Sequence, residues 1–102
     1  MPQWITIAND SELSEGDRKA ITIENTAILL IKTEGTYYAV HNLCTHESLP
    51  LTEGALEGTT LTCPFHGASF CIKTGEVKSP PAFADLETYP IRIEEQLIQI
   101  FI

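Results

Sequence analysis

Two closely spaced Cys–His pairs are the feature that most restricts how this chain can fold. The first pair is Cys44 and His46, the second is Cys63 and His66, and sixteen residues separate the pairs. Thiolate and imidazole are good metal ligands, and a tight loop can aim a Cys and a nearby His at one point. A fold that uses all four side chains must therefore bring together two loops that are distant in sequence.

Short runs rich in β-branched and aromatic residues, separated by turn signals, occupy most of the remaining chain. Several runs alternate apolar and polar residues, as residues 88–94 do, which is typical of a strand with one buried face. The predicted strands cover residues 4–8, 19–24, 27–33, 36–40, 59–63, 68–73, 88–94 and 97–102. Only residues 11–14 hint at a helix, of one turn at most. This pattern predicts an all-β sandwich or barrel.

Two segments do not fit a simple series of strands. The stretch 42–58 is long for a loop in a compact domain, and long loops are often functional. The stretch 78–86 contains a double proline, which fixes an extended backbone that cannot join a central strand. Both segments need an explanation that strand patterning alone does not supply.

Size and charge exclude several classes of protein. A chain of 102 residues fits one domain, and its formal net charge of −8 argues against nucleic acid and anionic membranes as partners. No uncharged run approaches the roughly 18 residues that a membrane span needs, and no signal peptide is visible. We therefore expect a cytoplasmic protein. Three cysteines, an odd number, do not make a secreted disulfide framework.

The distribution of ligands between the two loops bears on the identity of the metal. A mononuclear zinc site typically takes two Cys from one segment and two His from another. Here each loop supplies one of each, which suits a binuclear centre with the cysteines on one iron and the histidines on the other. A structural zinc domain stays open as an alternative. Cys71 lies outside both pairs and is expected to be an inert core thiol.

The sequences C-T-H at 44–46 and C-P-F-H-G at 63–67, with their spacer, resemble the Rieske motif. The similarity continues through the turns at 51–54 and 56–58, the segment 69–81 and the run 88–94, so it covers essentially the whole chain. The chain resembles in particular the small ferredoxins that serve bacterial aromatic-ring-hydroxylating dioxygenases.

This resemblance implies a Rieske-type antiparallel β sandwich or barrel, whose cluster-binding tip is made of two ligand loops and a proline loop. It implies a single domain over residues 1–102, with the cluster-binding part at about 42–82 and a basal β part in the remainder. It also implies one Rieske-type [2Fe–2S] cluster. Cys44 and Cys63 would hold the inner iron, and His46 and His66 the outer one.

The function that the resemblance implies is that of a one-electron carrier rather than an enzyme, with no catalytic residues. Its partners would be an NAD(P)H-dependent flavin reductase, which supplies the electrons, and the terminal ring-hydroxylating oxygenase, which receives them. Acidic residues near the tip, Glu47, Glu53 and Glu57, are expected to orient docking on basic partner surfaces. The alternative is the Rieske-like small subunit of an assimilatory nitrite reductase.

Several positions separate this chain from respiratory Rieske proteins. Leu49 and Phe65 stand where those proteins carry a disulfide, and Ala68 and Phe70 stand where they carry hydroxyl donors to the cluster. Without those donors the reduced cluster is less stabilised, so we expect a potential at the low end of the Rieske range. Glu47 replaces the glycine usual in related ferredoxins; it either disfavours reduction further or points into solvent.

Overall fold

The computed structural model describes residues 2–45, 49–65, 67–79 and 84–102. Within these ranges it contains only strands, turns and loops, which confirms the all-β prediction. The strands are β1 (Trp4–Asn9), β2 (Arg18–Ile23), β3 (Thr26–Thr33), β4 (Thr36–His41), β5 (Ala55–Glu57), β6 (Thr60–Thr62), β7 (Ser69–Cys71), β8 (Val77–Ser79), β9 (Thr88–Tyr89), β10 (Ile91–Glu94) and β11 (Leu97–Phe101). Among the described residues no helix is long and apolar enough to cross a membrane. The helical hint at 11–14 was wrong: the chain makes a turn there, in which the Glu12 N–H donates to the Asn9 carbonyl.

The strands form three antiparallel sheets. Two of them, ordered β1-β11-β10 and β2-β3-β4-β9, make the basal part of the molecule. The third, ordered β5-β6-β7-β8, is built from four three-residue strands in the middle of the sequence. Both predicted ligand segments border this small sheet, because residues 42–54 lead into β5 and residues 63–68 connect β6 to β7.

Strand β3 is buried on both faces and separates the core into regions. Leu29 and Ile31 pack into the cluster that contains Cys44 and Cys63, whereas the alternate residue Leu30 faces the basal core. This division follows from the two-residue period of a strand, which sends successive side chains to opposite faces. The site therefore rests directly on the most deeply buried strand.

The predicted strands correspond to observed ones, with three differences. The run 88–94 is divided at Pro90 into β9 and β10, where the chain passes from the sheet β2-β3-β4-β9 to the sheet β1-β11-β10. Proline has no N–H to donate to a sheet ladder, so it suits such a transition. The short strands β5 and β8 were not predicted, because three residues are too few to show a period.

Tight two-residue turns connect the longer hairpins. Residues 24–25, 34–35 and 95–96 all have positive φ at both positions, as type I′ turns require. Two of these turns coincide with the turn signals that Glu34-Gly35 and Glu95-Gln96 give in the sequence. The last of them, Glu95 (φ 50°) and Gln96 (φ 70°), contains no glycine or asparagine and is conformationally strained.

Candidate metal centre

Cys44 and Cys63 lie in one buried cluster at the end of the molecule formed by the small sheet. Their side chains are 1% and 2% exposed, and they share this cluster with Leu51, Ala68 and Phe70. Cys44 follows β4 after two residues, and Cys63 follows β6 directly. The structure thus brings together the two predicted cysteine ligands, which are nineteen positions apart in the sequence.

The two cysteine-containing loops are closed in the same way. The Cys44 N–H donates to the carbonyl of Leu49 (2.7 Å), and the Cys63 N–H donates to the carbonyl of Ala68 (2.6 Å). Each bond joins a cysteine to the residue five positions later and closes a turn that contains one predicted histidine ligand in sequence. The histidines themselves, His46 and His66, lie outside the described residues, as does Glu47.

Asn42 fixes the point at which the first loop returns to the sheet. This side chain is 6% exposed; its Oδ1 accepts the Leu51 N–H (2.9 Å) and its Nδ2 donates to the Thr52 hydroxyl (2.8 Å). A buried amide with both ends bonded behaves as a structural clamp, because breaking it leaves buried polar groups unpaired. Sequence analysis missed this role, since a single asparagine in a loop carries no signal of its partners.

Arg18 holds the same loop from the basal sheet. Its guanidinium donates to the backbone carbonyls of Thr52 and Gly54, 34 and 36 residues away in sequence. A charged donor makes hydrogen bonds about twice as strong as a neutral one. The contact links the start of β2 to the end of the first ligand loop. The sequence gives no sign of it, because the partners are brought together only by folding.

Gly54 sets how closely the two ligand segments approach. A Cβ at this position would collide with the backbone carbonyl of Thr62, the last residue of β6 before Cys63, and would lie 3.1 Å from the Leu51 carbonyl. Only a residue without a side chain fits between these two backbone groups. The end of the first loop is thereby packed against the strand that delivers the second cysteine.

The predicted proline loop is tied to both ligand loops at its described ends. On one side the Ser79 Oγ accepts the Ser69 N–H (3.1 Å) and lies 2.7 Å from the Ser69 Oγ. On the other side the Thr45 hydroxyl donates to the carbonyl of Ala84 (2.7 Å). Residues 80–83 lie outside the described residues. The flanks of this segment therefore contact the first loop through Thr45 and the second through Ser69.

The positions that distinguish the chain from respiratory Rieske proteins differ in exposure. Ala68 and Phe70 are fully buried beside the cysteines and present no hydroxyl there, while the hydroxyl of the intervening Ser69 bonds to Ser79. Leu49 is half-buried, and Phe65 is 55% exposed. The second loop therefore presents an aromatic ring to solvent where the respiratory proteins have a disulfide.

Cys71 is half-buried and is not a core thiol as predicted. Because it follows the fully buried Phe70 on β7, the strand period turns it to the opposite face. Burial raises the pKa of the Cys71 thiol, but hydrogen bonds from the Thr74 side chain and the amides of Thr74 and Lys73 outweigh this, so the pKa lies below its usual value.

The described part of the site fits an iron–sulfur cluster. Two cysteine side chains enter one apolar cluster from separate loops, and soft thiolates are the ligands that iron–sulfur clusters take from proteins. The surrounding apolar residues limit access of water, which influences the redox potential of a bound centre. The chain thus supplies the cysteine half of the predicted ligand set in a suitable environment.

Comparison with known proteins agrees with this geometry. Residues 3–90 match the family model described as the Rieske [2Fe-2S] domain. The chain is 37% identical over 98 residues to the ferredoxin component of the naphthalene 1,2-dioxygenase system of Pseudomonas putida, covering 96% of this chain and 94% of that relative.

Solved structures give the same result. The ferredoxin of Sphingomonas yanoikuyae B1 is 33% identical, with a TM-score of 0.90 and coverage of 98% of this chain and 99% of that one. A structure described as the complex of reduced oxygenase and oxidised ferredoxin in carbazole 1,9a-dioxygenase matches at 25% identity, with a TM-score of 0.89 and coverage of 94% and 99%.

These matches confirm the predicted fold and cofactor and do not favour the alternative of a nitrite reductase subunit. They also favour one Rieske-type [2Fe–2S] cluster over structural zinc. The relatives are electron-transfer components of multicomponent dioxygenases and not the catalytic oxygenase. From the family match over most of its length and the convergence of its cysteine loops, we conclude that the chain belongs to the Rieske [2Fe–2S] domain family.

Proposed function

We propose that this chain carries single electrons from an NAD(P)H-dependent flavin reductase to the terminal oxygenase of an aromatic-ring-hydroxylating dioxygenase system, in the cytoplasm. The observation that carries the proposal is the convergence of two identically closed cysteine loops on one buried cluster. The similarity to a dioxygenase ferredoxin component over 94% of its length supports the same role.

The proposed ligands are Cys44 and Cys63 for the inner iron and His46 and His66 for the outer iron. The burial of both cysteines supports their inner position. Each histidine stands two or three residues after its cysteine, within the turn that a backbone bond closes. When bound, the cluster supplies one-electron oxidation and reduction. The chain itself orients the ligands and limits access of water.

The proposed domain organisation is a single domain over residues 1–102 with the cluster-binding part at about 42–82. The small sheet and its flanking loops support this boundary, since β5 to β8 run from Ala55 to Ser79. The two basal sheets are made only from residues before and after this segment. The cluster-binding part is thus an insertion between β4 and β9, which pair directly with each other.

Charge supports protein partners with basic surfaces. The chain has fourteen acidic residues against six basic ones, and Glu53 and Glu57 are exposed on the segment that follows the first ligand loop. Opposite charge on a partner would speed the encounter and help to orient it. Reversing these two charges together with that of Glu47 should slow electron transfer at low salt.

Reconstitution with iron and sulfide tests the proposal. The purified protein should be coloured, and its reduced form should give the EPR spectrum of a Rieske cluster. It should also pass electrons to the terminal oxygenase of a naphthalene 1,2-dioxygenase system when a flavin reductase and NAD(P)H are supplied. A colourless zinc-loaded protein, or a coloured one that reduces no oxygenase, would refute this function.

A paired substitution tests the ligand assignment. Cys44→Ser should lose the visible absorption of the cluster, whereas the control Cys71→Ser should retain it, because Cys71 is half-buried on β7 and does not belong to the buried group of residues that contains Cys44 and Cys63. Equal retention in both variants would contradict the assignment.

A further inference from the structure

We propose that this chain associates reversibly with a second copy of itself through the outer face of the sheet β1-β11-β10. We name this face the terminal patch; its residues are Trp4, Arg92, Glu94, Leu97, Gln99 and Phe101. Such association does not depend on the proposed function, because no residue of these three strands belongs to the buried cluster around Cys44 and Cys63.

The terminal patch carries apolar side chains on the side of a sheet that normally faces water with polar ones. Trp4 is paired with Phe101 across β1 and β11, and Leu97 lies on the same face as Phe101, four residues earlier. The alternate residues of β11, Ile98 and Ile100, are fully buried in the basal core. Leu97 and Phe101 are each 37% exposed. An antiparallel sheet with one face on the core usually has a polar outer face, so these apolar groups favour an interface.

Hydrogen bonds and ring contacts hold the other side chains of the patch in place. The Arg92 Nε donates to the Gln99 Oε1 (2.7 Å), and the Gln99 Nε2 donates to the Thr6 hydroxyl (3.1 Å). The Arg92 guanidinium lies 4.4 Å from the centre of the Trp4 ring, and the centre of the Phe101 ring lies 5.2 Å from it. Tryptophan and arginine contribute strongly to binding at interfaces, and side chains that are ordered beforehand lose less entropy.

Charge favours a second copy as the occupant of the patch. Its two charged residues, Arg92 and Glu94, are exposed and cancel each other, so the net charge of −8 comes from the rest of the chain. Arg92 forms no ion pair with any residue that the structure describes. The two residues lie about 7 Å apart along one strand. When two copies meet around a twofold axis, the Arg92 of each can contact the Glu94 of the other, so the patch is complementary to itself.

The size of the patch implies weak association. Three strands of four to six residues present a face of roughly 250 Å², which is well below the about 800 Å² per partner of a standard interface. The acidic remainder of each copy also repels the other. Both ligand segments border the small sheet instead, so the association would leave them uncovered.

Analytical ultracentrifugation of the cluster-loaded protein from about 10 µM to 1 mM tests the proposal. The mean mass of the parent should rise with concentration towards that of a dimer and should fall again on dilution. Trp4→Ala should lower the association constant by about tenfold or more, because this ring is the largest apolar group of the patch.

Two exposed apolar side chains outside the patch provide matched controls. Ile93 is 49% exposed on the same hairpin, but its pairing with Ile98 puts it on the opposite face of the sheet. Phe65 is 55% exposed on the second ligand loop. Ile93→Ala and Phe65→Ala should keep an association constant within about twofold of the parent.

Reversal of the two charges tests the self-complementary contact directly. Arg92→Glu alone and Glu94→Arg alone should each associate less than the parent, because like charges then meet across the twofold axis. An equimolar mixture of these variants should associate, since an acidic patch then meets a basic one, and high salt should weaken that association. Trp4 is the only tryptophan in the chain, so the emission of the parent should move to shorter wavelength with concentration, whereas that of Glu94→Arg should not.

Specific outcomes would overturn the proposal. A parent that stays monomeric over the whole range would leave the patch to a different protein. Association that Trp4→Ala leaves unchanged, or that Ile93→Ala or Phe65→Ala weakens equally, would place the contact on another face. A mixture of Arg92→Glu and Glu94→Arg that associates no more than either variant alone would exclude a self-complementary contact. Each of these results leaves the proposed function standing, because none of them measures reduction of an oxygenase.

Discussion

Replacing Asn42 by alanine should loosen the end of the first ligand loop, at Leu51 and Thr52, while leaving the basal sheets intact. The side chain of Asn42 accepts the Leu51 N–H at 2.9 Å and donates to the Thr52 hydroxyl at 2.8 Å. Alanine removes both bonds. Because Leu51 is fully buried, its N–H would then have no partner unless the loop moves to admit water.

The magnitude follows from these two contacts. Leaving a buried backbone donor unsatisfied costs about 1–3 kcal/mol, and losing the bond to Thr52 costs about 0.5–1.5 kcal/mol more. Together they lower the free energy of local opening by roughly 2–4 kcal/mol. At 1.36 kcal/mol per factor of ten, the equilibrium constant for opening rises about 30- to 1,000-fold. Exchange of the Leu51 amide should accelerate by that factor.

Hydrogen exchange followed by mass spectrometry of a peptide spanning residues 49–56 measures this change in the loaded protein. Asn9→Ala provides a matched control, since Asn9 also accepts a backbone N–H, that of Ser11 at 3.0 Å, but in an exposed turn. The control should change exchange at 49–56 less than twofold. Unaltered exchange of this peptide in Asn42→Ala would refute the idea that Asn42 clamps the loop.

Three further substitutions have defined outcomes. Ala68→Ser should raise the midpoint potential by about 40 mV, which is one hydrogen bond of ~1 kcal/mol converted for a one-electron couple. The control Ala39→Ser, in the basal core, should leave the potential unchanged; equal midpoint potentials for Ala68→Ser and the parent would contradict the argument that missing hydroxyl donors lower the potential. Replacing Glu95–Gln96 by Asn-Gly should raise the apparent Tm by several degrees by relieving positive φ, and an unchanged or lower Tm would show that the turn is not strained. Gly54→Ala should speed loss of the cluster to a chelator, since its Cβ meets a backbone carbonyl of β6. Gly16→Ala, at φ +88° and with open space around the Cβ, adds backbone strain without a collision and should lose its cluster more slowly than Gly54→Ala; equal rates in the two variants would exclude the steric role.

The sequence was informative where structure depends on local pattern. Alternating β-branched residues indicated the longer strands, and the Cys–His spacing indicated that two loops must meet. The burial of Cys44 and Cys63 in one cluster agrees with that expectation, and the positions of the histidines stay a prediction. Strands β5 and β8 escaped detection because three residues stabilised by their neighbours carry no period of their own.

Contacts between distant segments were not predictable from one sequence. Arg18 supports the first ligand loop from 34 or more residues away, and nothing in its immediate sequence marks it. Asn42 is adjacent to the motif, but its importance comes from being buried with both ends bonded. Cys71 was misplaced because its residue type suggested the core, whereas the alternation of β7 turns it away from Phe70.

The hydroxyl groups around the site join the three loops of the tip. Ser69 and Ser79 connect the second ligand loop to the start of the proline segment, and Thr45 connects the first loop to its end. The buried position Ala68, next to Ser69, has no hydroxyl to offer a cluster. Thr45, Ser69 and Ser79 therefore hold the loops together, and their hydroxyl groups are already hydrogen-bonded within the protein. The expected low redox potential depends instead on Ala68, which has no hydroxyl to donate. It follows that a hydroxyl introduced at Ala68 should alter the potential without loosening the tip, whereas Ser79→Ala should loosen the tip and change the potential little.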